Sequence, residues 1–185
     1  MPLLYSYHHK SNSIMKKYLL IFSLFISTLA SSQNLSFSNV FQAEGKSSQE
    51  IYAAVKLWSA TAFAEAKAAT QVDDSENCLI SFSSNIQYQY GSISMAAYDG
   101  WINFTLTIQC RDGRYKVEMS NINHENKPTA TKSCRLGVIA ADENSYKSFN
   151  KKVASDIKIK TAALYDSICG NIEKSVTTNQ SEEDW

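Results

Sequence analysis

The sequence predicts one small domain of the α+β class, and three segments carry that prediction. Residues 102–119 alternate between apolar and polar side chains on both sides of Asp112-Gly113, a pattern typical of a β-hairpin with a two-residue turn. Two other segments, after Ser47 and after Asn144, repeat apolar residues every three or four positions, which indicates amphipathic helices. A chain of this size can bury its hydrophobic core in a single domain.

The hairpin pattern also predicts a register. A two-residue turn at Asp112-Gly113 places Arg111 opposite Arg114. The following pairs then match apolar with apolar and polar with polar: Cys110 with Tyr115, Ile108 with Val117, Leu106 with Met119, and Thr107 with Glu118. We therefore expect a strand pair with one buried face and one face in water.

Capping and spacing define the two helices. The first is expected to begin at a capping box formed by Ser47 and Glu50. Its buried stripe comprises Ile51, Val55, Trp58, Ala62 and Ala66, with Phe63 beside them. The final helix is expected to begin near Asn144 or Ser145 and to end at Gly170, which can supply a left-handed stop. Its apolar positions are Tyr146, Phe149, Val153, Ile157, Leu164 and Ile168.

The remaining segments suggest further strands and connections. Residues 35–42 alternate loosely and predict a first strand, and the alternation from Cys78 to Tyr90 predicts another strand with one wet face. Residues 91–100 are interpreted as an irregular connection. Residues 123–132 are polar and contain Pro128, so they are expected to form a loop, and a short strand is expected within 135–140.

The N-terminal region has the order of a secretory signal peptide. Basic Met15-Lys16-Lys17 precedes the apolar run 18–29, and the small residues 30–32 follow, which predicts cleavage before Gln33. The alternative is a membrane anchor, but a spanning helix needs about 20 apolar residues. We interpret 1–14 as a misassigned start, 15–32 as the signal peptide, 33–176 as the single domain and 177–185 as a disordered acidic tail. The expected location is the periplasm or the medium.

Charge limits the classes of partner. Removal of the leader takes away Lys10, Lys16 and Lys17 and no acids, so 15 basic residues remain against 18 acidic ones. A slightly acidic domain lacks the charge footprint for nucleic acid or an anionic membrane. No transmembrane segment is expected after signal cleavage.

Several features together resemble a known family. The export signal has no nearby cysteine, the first helix carries Ile51-Tyr52-x-x-Val55-x-x-Trp58, and the hairpin reads Phe104-x-Leu106-x-Ile108-x-x-x-Asp112-Gly113-Arg114-Tyr115. In these features the chain resembles exported bacterial domains of unknown function with a TBP-like fold, the DUF4468 type, common in Bacteroidetes. The resemblance implies a curved antiparallel sheet of about five strands with two helices packed on one face. It carries no catalytic residue to this chain.

The search for catalytic, metal and cofactor motifs leaves few candidates. His124 is the one histidine outside the leader, and an envelope hydrolase using His124 is the alternative function. Asp73, Asp74 and Glu76 cluster ahead of a strand, where we interpret them as a charged turn rather than a weak calcium site. We expect no catalytic residue, no metal and no cofactor.

The favoured function is therefore a non-enzymatic binding or interaction domain of the bacterial cell envelope. Its partner is expected to be another envelope protein or a glycan. The predicted contact surface is the solvent-facing side of the sheet: Gln87, Gln89, Asn103, Thr105, Thr107, Gln109 and Lys116.

Four cysteines in an exported chain favour disulfides, because the periplasm is oxidising. Cys78 and Cys110 lie on the buried faces of strands that can pair around residues 91–100, so we expect them to be bonded. Cys134 and Cys169 then form the second predicted pair. The alternative is four buried free thiols, which behave as small apolar residues.

Overall fold

The structure is a computed structural model, and it describes residues 33–63, 69–128 and 134–178. The predicted boundaries at 14/15 and 32/33 involve residues outside these ranges, as does the predicted tail 177–185 except for its first two residues, which are helical. The strands are β1 (Phe37–Gln42), β2 (Thr70–Asp74), β3 (Leu79–Tyr88), β4 (Gly100–Arg111), β5 (Arg114–Asn126) and β6 (Gly137–Val138). The helices are α1 (Ser48–Ala62) and α2 (Ser148–Thr178), and short 3-10 turns cover Ile93–Tyr98 and Glu143–Ser145.

All six strands in the described residues belong to one antiparallel sheet. Its order is β1-β5-β4-β3-β2, and β6 pairs with the far end of β5. The buried side chains of α1 and α2 join those of one sheet face in a single core. The predicted antiparallel α+β fold with two packed helices is confirmed, and the other sheet face remains uncovered by any described element.

The central hairpin has the predicted register. Arg111 pairs with Arg114, and every other predicted partner in β4 and β5 is also observed. Gly113 adopts φ +73°. The tight turn requires this positive φ, which glycine adopts without strain because it has no Cβ. The turn also positions α1, because the Asp112 carboxylate accepts a 2.8 Å hydrogen bond from the Ser48 amide.

A β-bulge changes the course of β5 beyond the predicted hairpin. Asn121 has φ +54°, and the register shifts between Asn103 and Thr105 on the partner strand. An extra residue of this kind moves the following side chains to the opposite face. His124 is consequently buried in a strand rather than placed in a polar loop, so the loop prediction for residues 123–126 was wrong.

The sequence also failed to predict β2. Thr70–Asp74 pairs with β3 as a short edge strand, with a register irregularity between Thr70 and Val72. Its residues show no apolar alternation, because an edge strand with little buried surface does not need one. Asp73 and Asp74 therefore lie in a strand and not in a charged turn.

The helices follow the predicted pattern except at their ends. The capping box is present, with the Ser47 amide 2.7 Å from Glu50 Oε2. Ala62 is exposed, and Ala66 lies outside the described residues. In α2, Phe149 is 60% exposed, so it does not belong to the buried stripe.

The final helix is longer than predicted. It continues through Gly170 to Thr178 and buries Ile172 and Val176. The Tyr165 hydroxyl donates to the Val117 carbonyl at 2.9 Å, which fixes the helix across β5. Among the described helices, none combines the length and apolarity needed to cross a membrane.

Candidate binding face

The uncovered face of the sheet presents side chains in transverse rows set by the strand register. At the end where β3 finishes, Trp101 stands between Gln87 and Glu125. The next row consists of three amides: Asn85, Asn103 and Asn123. Trp101 is 39% exposed, so part of its ring is open to solvent.

The middle of the face carries hydroxyl groups. One row contains Ser83, Thr105 and Ser120, and the next contains Ser81, Thr107 and Glu118. Ser81 Oγ lies 3.2 Å from Thr107 Oγ1, and Asn121 Nδ2 donates to Thr105 Oγ1 at 3.3 Å. These side chains hold one another in place while keeping acceptor capacity for a ligand.

The hairpin end of the face is basic. Gln109 pairs with Lys116, which also pairs with Val40 of β1, and Arg111 opposes Arg114. Together with Tyr115 these residues line a cavity of about 210 Å³. Arg111 and Arg114 therefore make this end of the open face more basic than the predicted contact surface, in which Lys116 is the one charged residue.

Six of the seven predicted surface residues lie on this face: Gln87, Asn103, Thr105, Thr107, Gln109 and Lys116. The seventh, Gln89, follows the end of β3, and its carbonyl accepts a 2.6 Å hydrogen bond from Lys160 Nζ of α2.

The sequence prediction missed Trp101, Asn123, Arg111 and Arg114. The signal for three of them was available. Trp101 lies two residues before Asn103, so the alternation of the strand places both side chains on the same face. The predicted register also places Arg111 opposite Arg114 on the solvent-facing side. Asn123 could not be predicted in this way, because the bulge at Asn121 determines which face of the sheet its side chain occupies.

His124 has the environment of a structural histidine. It is fully buried, its Nε2 lies 2.8 Å from the Tyr98 carbonyl oxygen, and its Nδ1 accepts from the Leu136 amide at 3.3 Å. The imidazole also packs edge-on against Tyr88, with ring centroids 5.3 Å apart. Burial lowers the pKa of His124, although the hydrogen bond to the Tyr98 carbonyl opposes that shift. Both ring nitrogens serve backbone groups, so this geometry gives no support to a hydrolase using His124.

The acidic side chains Asp73 and Asp74 also form ion pairs and hydrogen bonds with neighbouring residues. Asp73 forms an ion pair with Lys56 at 2.8 Å and accepts from the Tyr52 hydroxyl. Asp74 holds the Asn77 amide and side chain at 3.0 and 2.7 Å. No group of three or more His, Cys, Asp or Glu side chains suited to a metal ion occurs in the part of the chain that the structure describes.

All four cysteines are free thiols, so the predicted disulfides Cys78–Cys110 and Cys134–Cys169 are not present. Cys78 and Cys110 are neighbours, since the Cys110 amide donates to the Cys78 carbonyl at 2.9 Å. Cys78 has φ +49°, however, and its Sγ lies 3.7 Å from the Ser75 carbonyl oxygen. Burial raises the pKa of Cys110 to about 12, which keeps it protonated.

The second cysteine pair is excluded by distance. Cys134 lies against the Tyr98 hydroxyl, which donates to Asn150 in the first turn of α2. Cys169 lies about 28 Å from Asn150 along the same helix by the standard helical rise, whereas Cys134 lies at the Asn150 end. A disulfide requires Cα atoms within about 7 Å of each other, so this prediction was wrong.

Comparison with known proteins agrees with this architecture. Residues 37–125 match the family model described as a domain of unknown function (DUF4468) with TBP-like fold. The fold is similar to that of a DUF4468 family protein from Bacteroides ovatus ATCC 8483, with TM-score 0.57, 18% identity, and coverage of 77% of this chain and 86% of that one. It is also similar to a TBP-like protein from Parabacteroides distasonis ATCC 8503, with TM-score 0.55, 17% identity, and coverage of 78% and 93%. No curated protein matches the chain.

Proposed function

Residues 37–125 form a DUF4468 domain with the TBP-like fold, and from this premise we propose an exported, non-enzymatic domain of the bacterial cell envelope that binds a glycan on its open sheet face. The observation that carries the proposal is the set of transverse polar rows beside Trp101. They form a broad hydrogen-bonding surface on the three central strands, β3, β4 and β5, where no described element packs.

The composition of the face favours a glycan over a protein partner. The core of a protein interface is enriched in aromatic and apolar side chains. Here the central rows carry hydroxyl and amide groups, and the exposed apolar residues of the face stand toward its margins, as Val40 and Val72 do on the edge strands. Amides and hydroxyls donate and accept hydrogen bonds as sugar hydroxyls do, which suits a hydrated polymer.

One end of the face has the strongest features of a sugar subsite. Asn123 Oδ1 is buried and has no hydrogen-bond partner among the described residues. A buried polar atom without a partner is costly, and rotation of the Asn123 side chain toward the open face would let a donating ligand hydroxyl satisfy it. Trp101 lies one row away, and its half-exposed ring can pack against the apolar face of a sugar.

The leader of the sequence supports export, and it leads to a direct prediction. Protein isolated from the producing organism should begin at Gln33 or within a residue or two of it, because the small residues 30–32 provide the cleavage site. Measurement of the intact mass identifies the first residue of the mature chain. A mature chain that retains residues 18–29 would contradict the proposed export.

The binding proposal predicts a large effect of Trp101→Ala. The protein should bind at least one member of a panel of neutral glucose, mannose and galactose oligomers, measured by calorimetry. The substitution should weaken that binding about tenfold or more, because it removes the aromatic contact while leaving the amide rows in place.

Ile93→Ala is the matched control. Ile93 is 98% exposed and lies in a 3-10 turn outside the sheet, so its removal should leave both binding and stability unchanged. Equal affinity of the Trp101→Ala and original proteins, or binding of no oligomer by the original protein, would contradict the proposal.

A further inference from the structure

The basic end of the open face contains a charge arrangement that the fold itself does not require. Arg111 and Arg114 are direct cross-strand partners on the solvent side of the hairpin. Like charges in directly opposite positions destabilise an antiparallel pair. Neither guanidinium forms an ion pair with an acidic side chain among the described residues.

The neighbouring groups add to this positive end without neutralising the two arginines. The nearest acid in sequence, Asp112, accepts a hydrogen bond from the Ser48 amide at the start of α1. Lys116 lies one step along β5 and has its own partner, Glu118, at 2.6 Å. Gln109, Tyr115 and the 58% exposed Val40 complete the lining of the cavity of about 210 Å³. The cavity therefore offers two guanidinium groups that have no ion-pair partner among the described residues, beside the Gln109 amide and the apolar side chain of Val40.

From this arrangement we infer that the hairpin end of the face binds the carboxylate of an acidic sugar, so that the glycan is a uronic-acid polymer. The inference rests on the proposed function. A guanidinium presents two parallel N–H donors that match a carboxylate, and an anion between the two arginines replaces their repulsion with two charge-assisted contacts. Because a ligand bound only by the folded state stabilises it, the acidic glycan should also raise the melting temperature.

The size of the face indicates a polymer rather than a single sugar. Trp101 and Arg111 lie on the same side of β4, about 33 Å apart by the usual rise of a strand. A ligand that contacts both residues must extend across the amide and hydroxyl rows between them. The aromatic end and the basic end thus belong to one elongated surface with a neutral and an acidic subsite.

The test compares short oligogalacturonate with neutral oligogalactose of equal length, both titrated into the full chain by calorimetry at low and high salt. The original protein should bind the acidic oligomer at least about tenfold more tightly at low salt, and the preference should shrink as salt screens the contact. Arg111→Gln/Arg114→Gln should abolish the preference by lowering the affinity for oligogalacturonate to that for oligogalactose. Without ligand this variant should melt no lower than the original protein, because it removes a like-charge pair.

Lys151→Gln/Lys152→Gln is the matched control, since it removes the same charge from a groove beside α2. It should retain the preference for the acidic oligomer. Equal binding of the two oligomers by the original protein, or an unchanged preference in the arginine variant, overturns the carboxylate site but leaves the proposed function intact. Failure of both oligomers and of the neutral panel overturns both proposals. Inorganic phosphate that binds as tightly as oligogalacturonate shows a simple anion site and also overturns the inference.

Discussion

Gly100→Ala is expected to destabilise the domain by about 3 kcal/mol or more. Gly100 begins β4 between Tyr88 of β3 and Asn126 of β5, and it is buried. A Cβ at this position would overlap the Glu125 carbonyl oxygen and lie 2.6 Å from Asn126 Cα. Both atoms belong to the backbone of β5, so the clash cannot be relieved by a change of side-chain rotamer. The two central strands would have to separate at this end.

Gly170→Ala provides the matched control, because it makes the same chemical change where space is available. Gly170 lies inside α2, and an added Cβ meets no atom within 4 Å. Alanine in a helix interior is favoured over glycine by roughly 0.5–1 kcal/mol, so this variant should be slightly more stable. Urea melts of the two variants measure both effects. Similar stabilities of the two variants would mean that the backbones of β4 and β5 are not in close contact at Gly100.

The hairpin was predictable because its information is local. The turn residues Asp112 and Gly113 set the register, and each cross-strand pair then agrees with it independently. The capping box at Ser47 is equally local, since all its donors and acceptors lie within one helical turn. Agreement between turn chemistry and alternation is a strong signal for a single structure.

The errors arise where a tertiary contact overrides a local pattern. The bulge at Asn121 places His124, which is predicted to lie in a polar loop, in the core of the domain, and the alternation of residues 115–119 does not indicate it. Gly170 remains helical because Ile172 and Val176 beyond it are buried. The edge strand β2 lacks alternation and is defined by its pairing with β3. In each case the missing information is a contact with a distant segment.

The candidate site was predicted in its middle and missed at its ends. The hydroxyl and amide rows follow from alternation in β3 and β4 alone. The amide of Asn123 comes from beyond the bulge. The turn predicts the pairing of Arg111 with Arg114 but does not indicate that the pair belongs to a binding surface. A predicted strand register can therefore indicate a binding site where it places like charges opposite each other. Such a pair lowers the stability of the sheet, so stability does not explain its presence.

His124→Ala is the second substitution expected to have a large effect, about 2–4 kcal/mol at pH 8. The change leaves a cavity beside Tyr88. It also leaves the Tyr98 carbonyl and the Leu136 amide without their partner. The side chain joins β5 to the turn before β4 and to the segment before β6, so its loss should loosen all three.

The same residue predicts how stability depends on pH. Burial lowers the pKa of His124 in the folded state, so the unfolded chain, with its histidine pKa near 6.5, takes up the proton first. The contribution of neutral His124 is complete above that value, and the free energy of unfolding should decrease as pH falls from about 7 to 5. Carboxylates with lowered pKa, such as Asp73 and Asp112, lose their contribution only at more acidic pH.

Denaturant melts of the original protein and of His124→Ala between pH 8 and pH 5 separate the effect of His124 protonation on stability from that of the carboxylates. The original protein should lose stability over this range, and the variant should show a smaller dependence because its buried imidazole is absent. Thr105→Ala, on the open face, should keep the original pH dependence and cost no more than about 0.5 kcal/mol. Protonation of folded His124 breaks the bond that Nδ1 accepts from Leu136, since that nitrogen then carries a proton. Equal pH dependence in the original protein and in His124→Ala would therefore show that this imidazole is not the buried neutral link between β5 and its neighbours.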